Sequence, residues 1–399
     1  MAKKIITTDV VIIGAGIAGL WLHHRLNKMG FHALLLEHKT MGNAQTLSSQ
    51  GIIHGGAKYA LNGILSKATQ AIGDMPARWQ ACLAGQGEVD LTKVKVLADH
   101  QLLWSKQQLS SKMMSFFASK ALSSRMQTVA KAKQPAIFQN PDFKGALYRL
   151  EEPVLDIPSV VKSLAEPWQD RILKIPGNSE FSWHKQANKV QSIRLNNDIE
   201  IQAQQFVLTA GEGNQALLDS LAIAKPLMQR RPLQMVLCKA KNKHYSLPAI
   251  YAHSLGSGSK PVATITSHLD SANNIVWYIG GNIAEQGVNK DFDSITTEAE
   301  ALLRDILPWF KLPELDWSSH AINRAEPKQS ALSRPDTAFV ESNNNIHIAW
   351  PTKLALAPAL SDSVISALTK QGLTAKYHAI NSYLPLADIG PSLWDSTFK

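Results

Sequence analysis

Residues 9–37 read DVVIIGAGIAGLWLHHRLNKMGFHALLLE. The opening DVVII is a continuous apolar run of strand length, and the glycines after it lead straight into WLHHRLNKMG, which has helical periodicity and a closing glycine. HALLLE is then a second buried strand that ends in an acid. Gly14, Gly16 and Gly19 fit G-x-G-x-x-G, in which the first glycine makes a tight turn, the second lets backbone approach a pyrophosphate, and the third permits close packing of helix on strand. The N–H groups of the helix N-terminus then face the phosphate charge. Glu37, at the end of the second strand, can accept hydrogen bonds from an adenosine ribose. The unit is expected to bind the ADP half of a dinucleotide, but it does not separate NAD from FAD.

Outward from this unit, 399 residues make two domains the natural expectation. A hydrophobic fraction of 45% belongs to a globular chain, and no apolar run approaches the roughly 20 residues that span a bilayer. The basic start runs into a short β-branched strand and glycines rather than a signal h-region, so a cytoplasmic protein is expected. Cys82 and Cys238 stand far apart, which argues against a disulfide framework or a thiolate metal site, and no metal is expected. A net charge of +9 attracts anions, whether acidic substrates, lipid headgroups or nucleic acid. The densest basic stretch, SKMMSFFASKALSSRMQTVAKAKQ at 111–134, alternates Lys112, Lys120, Arg125, Lys131 and Lys133 with Met113, Met114, Phe116, Phe117, Leu122 and Met126 at helical spacing. It reads as a surface helix packed on the core, with peripheral contact at the inner face of the membrane as the alternative. No arginine-rich or aromatic-stacking motif stands out, so nucleic acid is not the expected partner.

Helical text at 64–84 is followed by strands at 94–105, a helix capped near Ser159 within 154–165, and a strand at 199–209 running into Ala210-Gly211 and another helix. From about 226 the texture changes to short β-branched and aromatic strands, QMVLCKA, AIYAHS, PVATITSHL and NIVWYIGG, with DSANN as a hairpin turn before the last. A helix at 296–310, the strand IHIAW and the helix PALSDSVISALTKQ complete the chain. This order suggests a discontinuous nucleotide domain with an inserted substrate domain.

The segment TLSSQGIIHGGAKY, at 46–59, resembles the flavin-contacting second motif of the D-amino-acid oxidase superfamily. Its run from Ser49 through His54-Gly55-Gly56 to Tyr59 is similar to that of flavin-dependent glycerol-3-phosphate dehydrogenases, while Gln-Gly-Ile-Ile-His is closer to L-2-hydroxyglutarate dehydrogenases. The hydroxyls of Thr46, Ser48 and Ser49 can bond pyrophosphate or ribityl oxygens, and Gly55-Gly56 lets backbone lie against a flavin ring. FVLTAGEGN, at 206–214, is similar to the family's strand that ends beside the adenosine half of FAD, here at Ala210 and Gly211. INRAEPKQSALSRPDTAFV and WPTKLALAPALSD resemble the dehydrogenase pattern in which two arginines and a lysine hold the substrate's anionic end, which implies Arg324, Arg334 and Lys353. Pro351-Thr352 stands where that pattern has two glycines, and Ala355-Leu356 where it has two threonines. The resemblance implies an α/β fold: a Rossmann-like, glutathione-reductase-like FAD-binding domain at 1–85, 150–222 and 340–399. Into it is set an α+β substrate domain at 86–149 and 223–339, built on a mostly antiparallel sheet.

The cofactor implied is FAD, whose N5 accepts a hydride once the protein has placed a C–H bond over it. An alcohol also needs a base for its hydroxyl proton, whereas an amine can react after losing its ammonium proton. His54 is the candidate base; a hydrogen bond to the flavin, or the covalent link that a nearby histidine makes in some amine-oxidising relatives, are its alternatives. Tyr59 and Tyr251 are expected to line the substrate pocket, with Tyr278 and His253 as further candidates. The expected activity is that of an FAD-dependent dehydrogenase or oxidase acting on a small anionic 2-hydroxy acid or polyol phosphate, with oxygen or a quinone as electron acceptor. An amine or amino-acid oxidase of the same superfamily is the second reading, and an RNA-binding or RNA-modifying flavoprotein the third.

Overall fold

The computed structural model describes residues 4–56, 72–106, 126–196, 198–256, 261–329, 337–376 and 383–398. Strand β1 (Lys4–Ile13), helix α1 (Ile17–Lys28) and strand β2 (Ala33–Glu37) form the expected unit, with β1 and β2 parallel from Val10↔Ala33 to Ile13↔Leu36. Both strands are buried on both faces, as continuous apolar runs in a parallel sheet must be. On its other side β1 pairs in parallel with the Ile199–Leu208 strand, which in turn pairs in parallel with Ile346–Trp350. One face of this sheet, through Val10, Ile12 and Leu35, packs on α1 and on the helices Ile157–Ala165 and Ala357–Lys370. The opposite face, through Val11, Ile13 and Phe206, packs on Leu218 and Trp350.

The second sheet has eight strands in the order Leu315–Pro327, Met228–Ala240, Ile275–Gly281, Pro261–Leu269, Ala252–Leu255, Gln101–Ser105, Ala146–Leu150 and Met126–Thr128. Its neighbours are antiparallel except where Ala252–Leu255 meets Gln101–Ser105. Side chains alternate across it. Val236, Cys238, Ile265, Trp277 and Ile279 pack on Ile295, Ala299 and Leu303 of the Phe292–Ile306 helix. The other face carries Met235, Leu237 and Tyr278 and is covered in part by Leu393 and Trp394 near the C-terminus. The architecture is therefore the expected α/β fold, a parallel helix-covered sheet joined to a mostly antiparallel one.

Local boundaries differ from the sequence reading in instructive ways. The helix over Ile157–Ala165 is capped by Asp156, whose carboxylate accepts from the Ser159 N–H at 3.0 Å; Ser159 sits in the first turn and gives its own hydroxyl to the Asp156 carbonyl. The helix expected at 296–310 starts at Phe292 because Asp291 accepts the Ser294 N–H, and ends at Ile306 because Leu307 precedes a proline and takes an extended φ of −128°. The basic segment is not helical where it is described. Met126–Thr128 is an edge strand paired with Ala146–Leu150, and Lys131–Lys133 is one 3₁₀ turn, so sheet pairing overrides the helical spacing there. Its remainder, 111–125, lies outside the described residues, as does 64–71 of the expected helix that precedes Met75–Leu83. No helix among the described residues is long and apolar enough to cross a membrane.

Among the histidines that burial depresses, three shift furthest. His23 on α1 and His268, stacked 3.7 Å from Trp394, are both pushed down to about 3, and His347 to about 4. Each is neutral in the folded chain and protonates in the unfolded chain below its ordinary value of 6.5. Their stabilisation is complete above pH 6.5 and is lost as pH falls toward the folded values, by about 1 kcal/mol per pH unit for each. Urea midpoints should therefore fall steadily from pH 6.5 to 5; a flat profile would show that these rings are not held neutral.

Candidate active site at the junction of the two sheets

The turn between β1 and α1 requires its glycines for different reasons. Gly14 has φ +104°, and a Cβ there would lie 2.5 Å from the Ala210 Cα. A Cβ on Gly19 would lie 2.0 Å from the Gly14 carbonyl oxygen and 2.8 Å from Thr209 Oγ1, so α1 packs directly on the turn. Gly16 has an ordinary φ of −77° and would meet only Thr46 Oγ1, at 3.2 Å, so what it contributes is open space in front of the helix. As N-cap of α1 it offers no side-chain bond to the first turn, and that turn holds no acid, which leaves the positive helix end suited to a pyrophosphate. The Glu37 carboxylate takes N–H groups from Ala15 at 2.8 Å, His38 at 2.9 Å and Lys39 at 2.8 Å, and is thereby fixed at the end of β2. Ala210 gives its N–H to Asn214 Oδ1, and Gly211, at φ +59°, accepts the Trp350 indole N–H.

The second motif runs across the antiparallel sheet. Thr46 Oγ1 accepts the Ile17 N–H at 3.0 Å and so caps α1, while Ser48 Oγ meets His320 Nε2 at 2.9 Å, on the sheet's first strand. Ser49 Oγ is buried and has no partner among the described residues, the condition of a hydroxyl awaiting a ligand. Next, Gln50 donates to the carbonyls of Tyr278 at 3.0 Å and Thr264 at 3.1 Å, and the Tyr278 hydroxyl donates to the Ser48 carbonyl at 2.8 Å. Gly55 follows with its N–H on Glu152 Oε1 at 2.8 Å, and Gly56 has φ +82°. The acid-free N-terminus of α1, the Ser49 hydroxyl without a partner among the described residues and the glycine-lined crossing fit a dinucleotide that reaches from the first sheet to the second.

His54 stands where the motif reaches the Ala252–Leu255 strand. Its Nδ1 is 3.1 Å from Glu152 Oε2, and its ring stacks on that of His253 with centroids 6.0 Å apart and planes 17° from parallel. The Glu152 side chain is 3% exposed, that of His54 28%. His253 is buried and holds Thr264 Oγ1 at 2.7 Å through Nδ1. Tyr251, two residues before His253 and therefore on the same face where the ladder continues, is half-buried; burial, and after it the charge of Asp156, push its phenol up to about 12. Tyr278 is fully buried and its hydroxyl is committed to Ser48.

The residues expected to hold a substrate anion are placed differently. Arg324 lies half-buried on the Leu315–Pro327 strand, 4.0 Å from Glu285 and in register with Arg231, whose guanidinium pairs with buried Glu326. Arg324 shares a face of this strand with His320, which reaches the flavin-like motif, but three strands lie between it and the His253 strand. Lys353 is half-buried on the loop after Ile346–Trp350. Just before it Thr352 adopts φ +60°, a glycine-like backbone on a β-branched residue, held by hydroxyl bonds to the carbonyls of Thr337 and Pro351. Arg334 and Tyr59 lie outside the described residues. The sequence reading missed Glu152 and Arg231, because an acid beside another acid before a proline, and one of two adjacent arginines, carry no motif.

A profile for FAD dependent oxidoreductases, DAO, matches residues 9–349. The chain is 42% identical over 394 residues to PA4991 of Pseudomonas aeruginosa, named a probable FAD-dependent oxidoreductase, covering 98% of this chain and 99% of that protein. The crystal structure of PA4991 superposes with a TM-score of 0.85 over 99% of each chain. In fold alone the chain is also similar to the L-alpha-glycerophosphate oxidase of Mycoplasma pneumoniae, solved with FAD bound, at a TM-score of 0.62 and 12% identity over 96% of this chain and 99% of that one. The L-proline dehydrogenase of P. horikoshii is similar at a TM-score of 0.64 and 15% identity, over 94% and 95%. With the DAO profile matching most of its length and a relative 42% identical across nearly the whole chain, the chain belongs to the DAO family of FAD-dependent oxidoreductases.

Proposed function

We propose that this flavoenzyme oxidises the CH–OH group of a small anionic 2-hydroxy acid or polyol phosphate. The observation that carries the reading is the His54–Glu152 pair, an imidazole held at Nδ1 by a buried carboxylate. With the Nδ1 proton directed at Glu152, Nε2 keeps its lone pair and can take the hydroxyl proton of a substrate. An amine donor has no need of such a group. FAD, when bound, supplies the hydride acceptor. Arg324, with Arg231 beside it, and Lys353 offer cationic ends for a carboxylate or phosphate.

Anaerobic bleaching of the flavin by a panel of 2-hydroxy acids, glycerol 3-phosphate and amino acids tests the reading. Reduction by amino acids alone would overturn it. Replacing Arg324 with Met should then lower kcat/KM for the anionic substrate roughly 10- to 150-fold, the worth of a charge-assisted bond at a partly desolvated site, and spare neutral analogues. Efficiency within twofold of wild type would mean that the three intervening strands put Arg324 out of the substrate's reach.

A further inference from the structure

We propose that His54, Glu152 and His253 form a binding site for one divalent transition-metal ion of the zinc type, and that this ion blocks His54 as a proton acceptor. One ring nitrogen of each histidine and one oxygen of Glu152 lie within 4.8 Å of one another. Nitrogen and carboxylate ligands at about 2.0–2.2 Å from zinc in a tetrahedron stand roughly 3.3 Å apart, and the 3.1 Å between His54 Nδ1 and Glu152 Oε2 already has that spacing. Closing the triangle on a metal brings the His253 nitrogen, which lies within 4.8 Å of both other ligand atoms, in to the same spacing.

The surroundings are those of a metal site rather than of a chance cluster. Glu152 and His253 are buried, and both are oriented from behind: the Gly55 N–H holds the carboxylate's other oxygen, and Thr264 Oγ1 holds His253 Nδ1, which makes Nε2 the ring nitrogen to ligate a metal. No fourth histidine, cysteine or acid among the described residues joins the group, so the remaining position is left for water or a small anion. One carboxylate and two neutral imidazoles suit a borderline ion such as Zn²⁺ better than a hard one. Coordination through His54 Nδ1 moves the ring's proton to Nε2. The lone pair that would accept a substrate proton is then gone, with no net change in bound protons. Blocking rests on the proposed role of His54; binding does not.

The test uses tag-free, FAD-loaded protein dialysed against EDTA, titrated with Zn²⁺, passed through gel filtration and assayed for metal by mass spectrometry. Wild type should retain one Zn²⁺ per chain. His253→Ala should bind at least about 10-fold more weakly, and Thr264→Val, which keeps all three ligands but loses the orienting bond, roughly 10- to 100-fold more weakly. The flavin spectrum reports whether each variant has folded, and Thr264→Val decides the matter if His253→Ala has not. No stoichiometric Zn²⁺ on wild type, or equal retention by wild type and variants, overturns the site. Retained Zn²⁺ should also slow flavin reduction reversibly toward EDTA; stoichiometric binding at these residues without slowing would sink the role of His54 and leave the metal site standing.

Discussion

Gly16→Val should yield a folded protein without flavin, whereas Gly14→Ala should yield a chain that folds poorly. At Gly16 the backbone conformation is open to any residue, and an added Cβ meets only the Thr46 hydroxyl at 3.2 Å. Valine there fills the space before the helix N-terminus that the pyrophosphate needs, and it costs the fold little. At Gly14 two penalties coincide. A φ of +104° is glycine territory, worth about 1–3 kcal/mol of strain for any other residue. The Cβ would also sit 2.5 Å from the Ala210 Cα, and backbone so placed in the parallel sheet can yield only by parting β1 from its neighbour, which adds roughly 1–3 kcal/mol. Set against the usual 5–15 kcal/mol of total stability, the sum is large. Flavin absorbance and thermal melts of both variants measure the contrast. A Gly16→Val protein that keeps its full flavin content would count against the placement of the pyrophosphate, and a Gly14→Ala protein as stable as wild type against the described turn.

The second large effect is expected at His54. If its Nε2 takes the hydroxyl proton, His54→Ala should slow flavin reduction by roughly 10²- to 10⁴-fold, with substrate binding little changed. Glu152→Gln should share part of that loss, because it replaces the acceptor that fixes the ring's tautomer while keeping the size of the side chain. Rapid-mixing reduction of flavin-replete variants measures both. A His54→Ala protein that loses its flavin but is reduced at the normal rate once reloaded would place His54 in cofactor binding. Flavin that stays with wild-type protein after acid precipitation, and is released from the variant, would instead reveal a covalent link.

How much of this was legible in the sequence follows from what kind of interaction carries each feature. DVVIIGAGIAGL and HALLLE specify a local unit, since strand length, helix period and glycine spacing are all set by neighbours in the chain. That is why the strand–turn–helix–strand unit and the α/β architecture could be read directly. Caps were read only approximately. The Asp156 and Asp291 side chains win their positions by a single hydrogen bond to a backbone N–H three residues on, and Ser159, equally suited by type, ended one turn inside. The strand at Met126–Thr128 was hidden, because its pairing partner, Ala146–Leu150, arrives some twenty residues later and the apolar spacing of the 111–134 segment that contains it is helical.

The site itself was determined by the tertiary structure. His54 could be picked out as a residue type in a suggestive place, but its partner Glu152 lies 98 positions away and His253 on a strand of the other sheet. Neither acquires meaning until the second motif is laid across that sheet, with Ser48 at one end on His320 and His54 at the other on His253. The same crossing decides that Thr46 caps α1, that of the hydroxyls of Thr46, Ser48 and Ser49 only the last has no partner among the described residues, and that three strands lie between the strands of Arg324 and His253. Sequence spacing records what a residue's near neighbours require of it. Distances between side chains from different sheets depend on strand order and on how the sheets join, and those are settled only when the whole core packs.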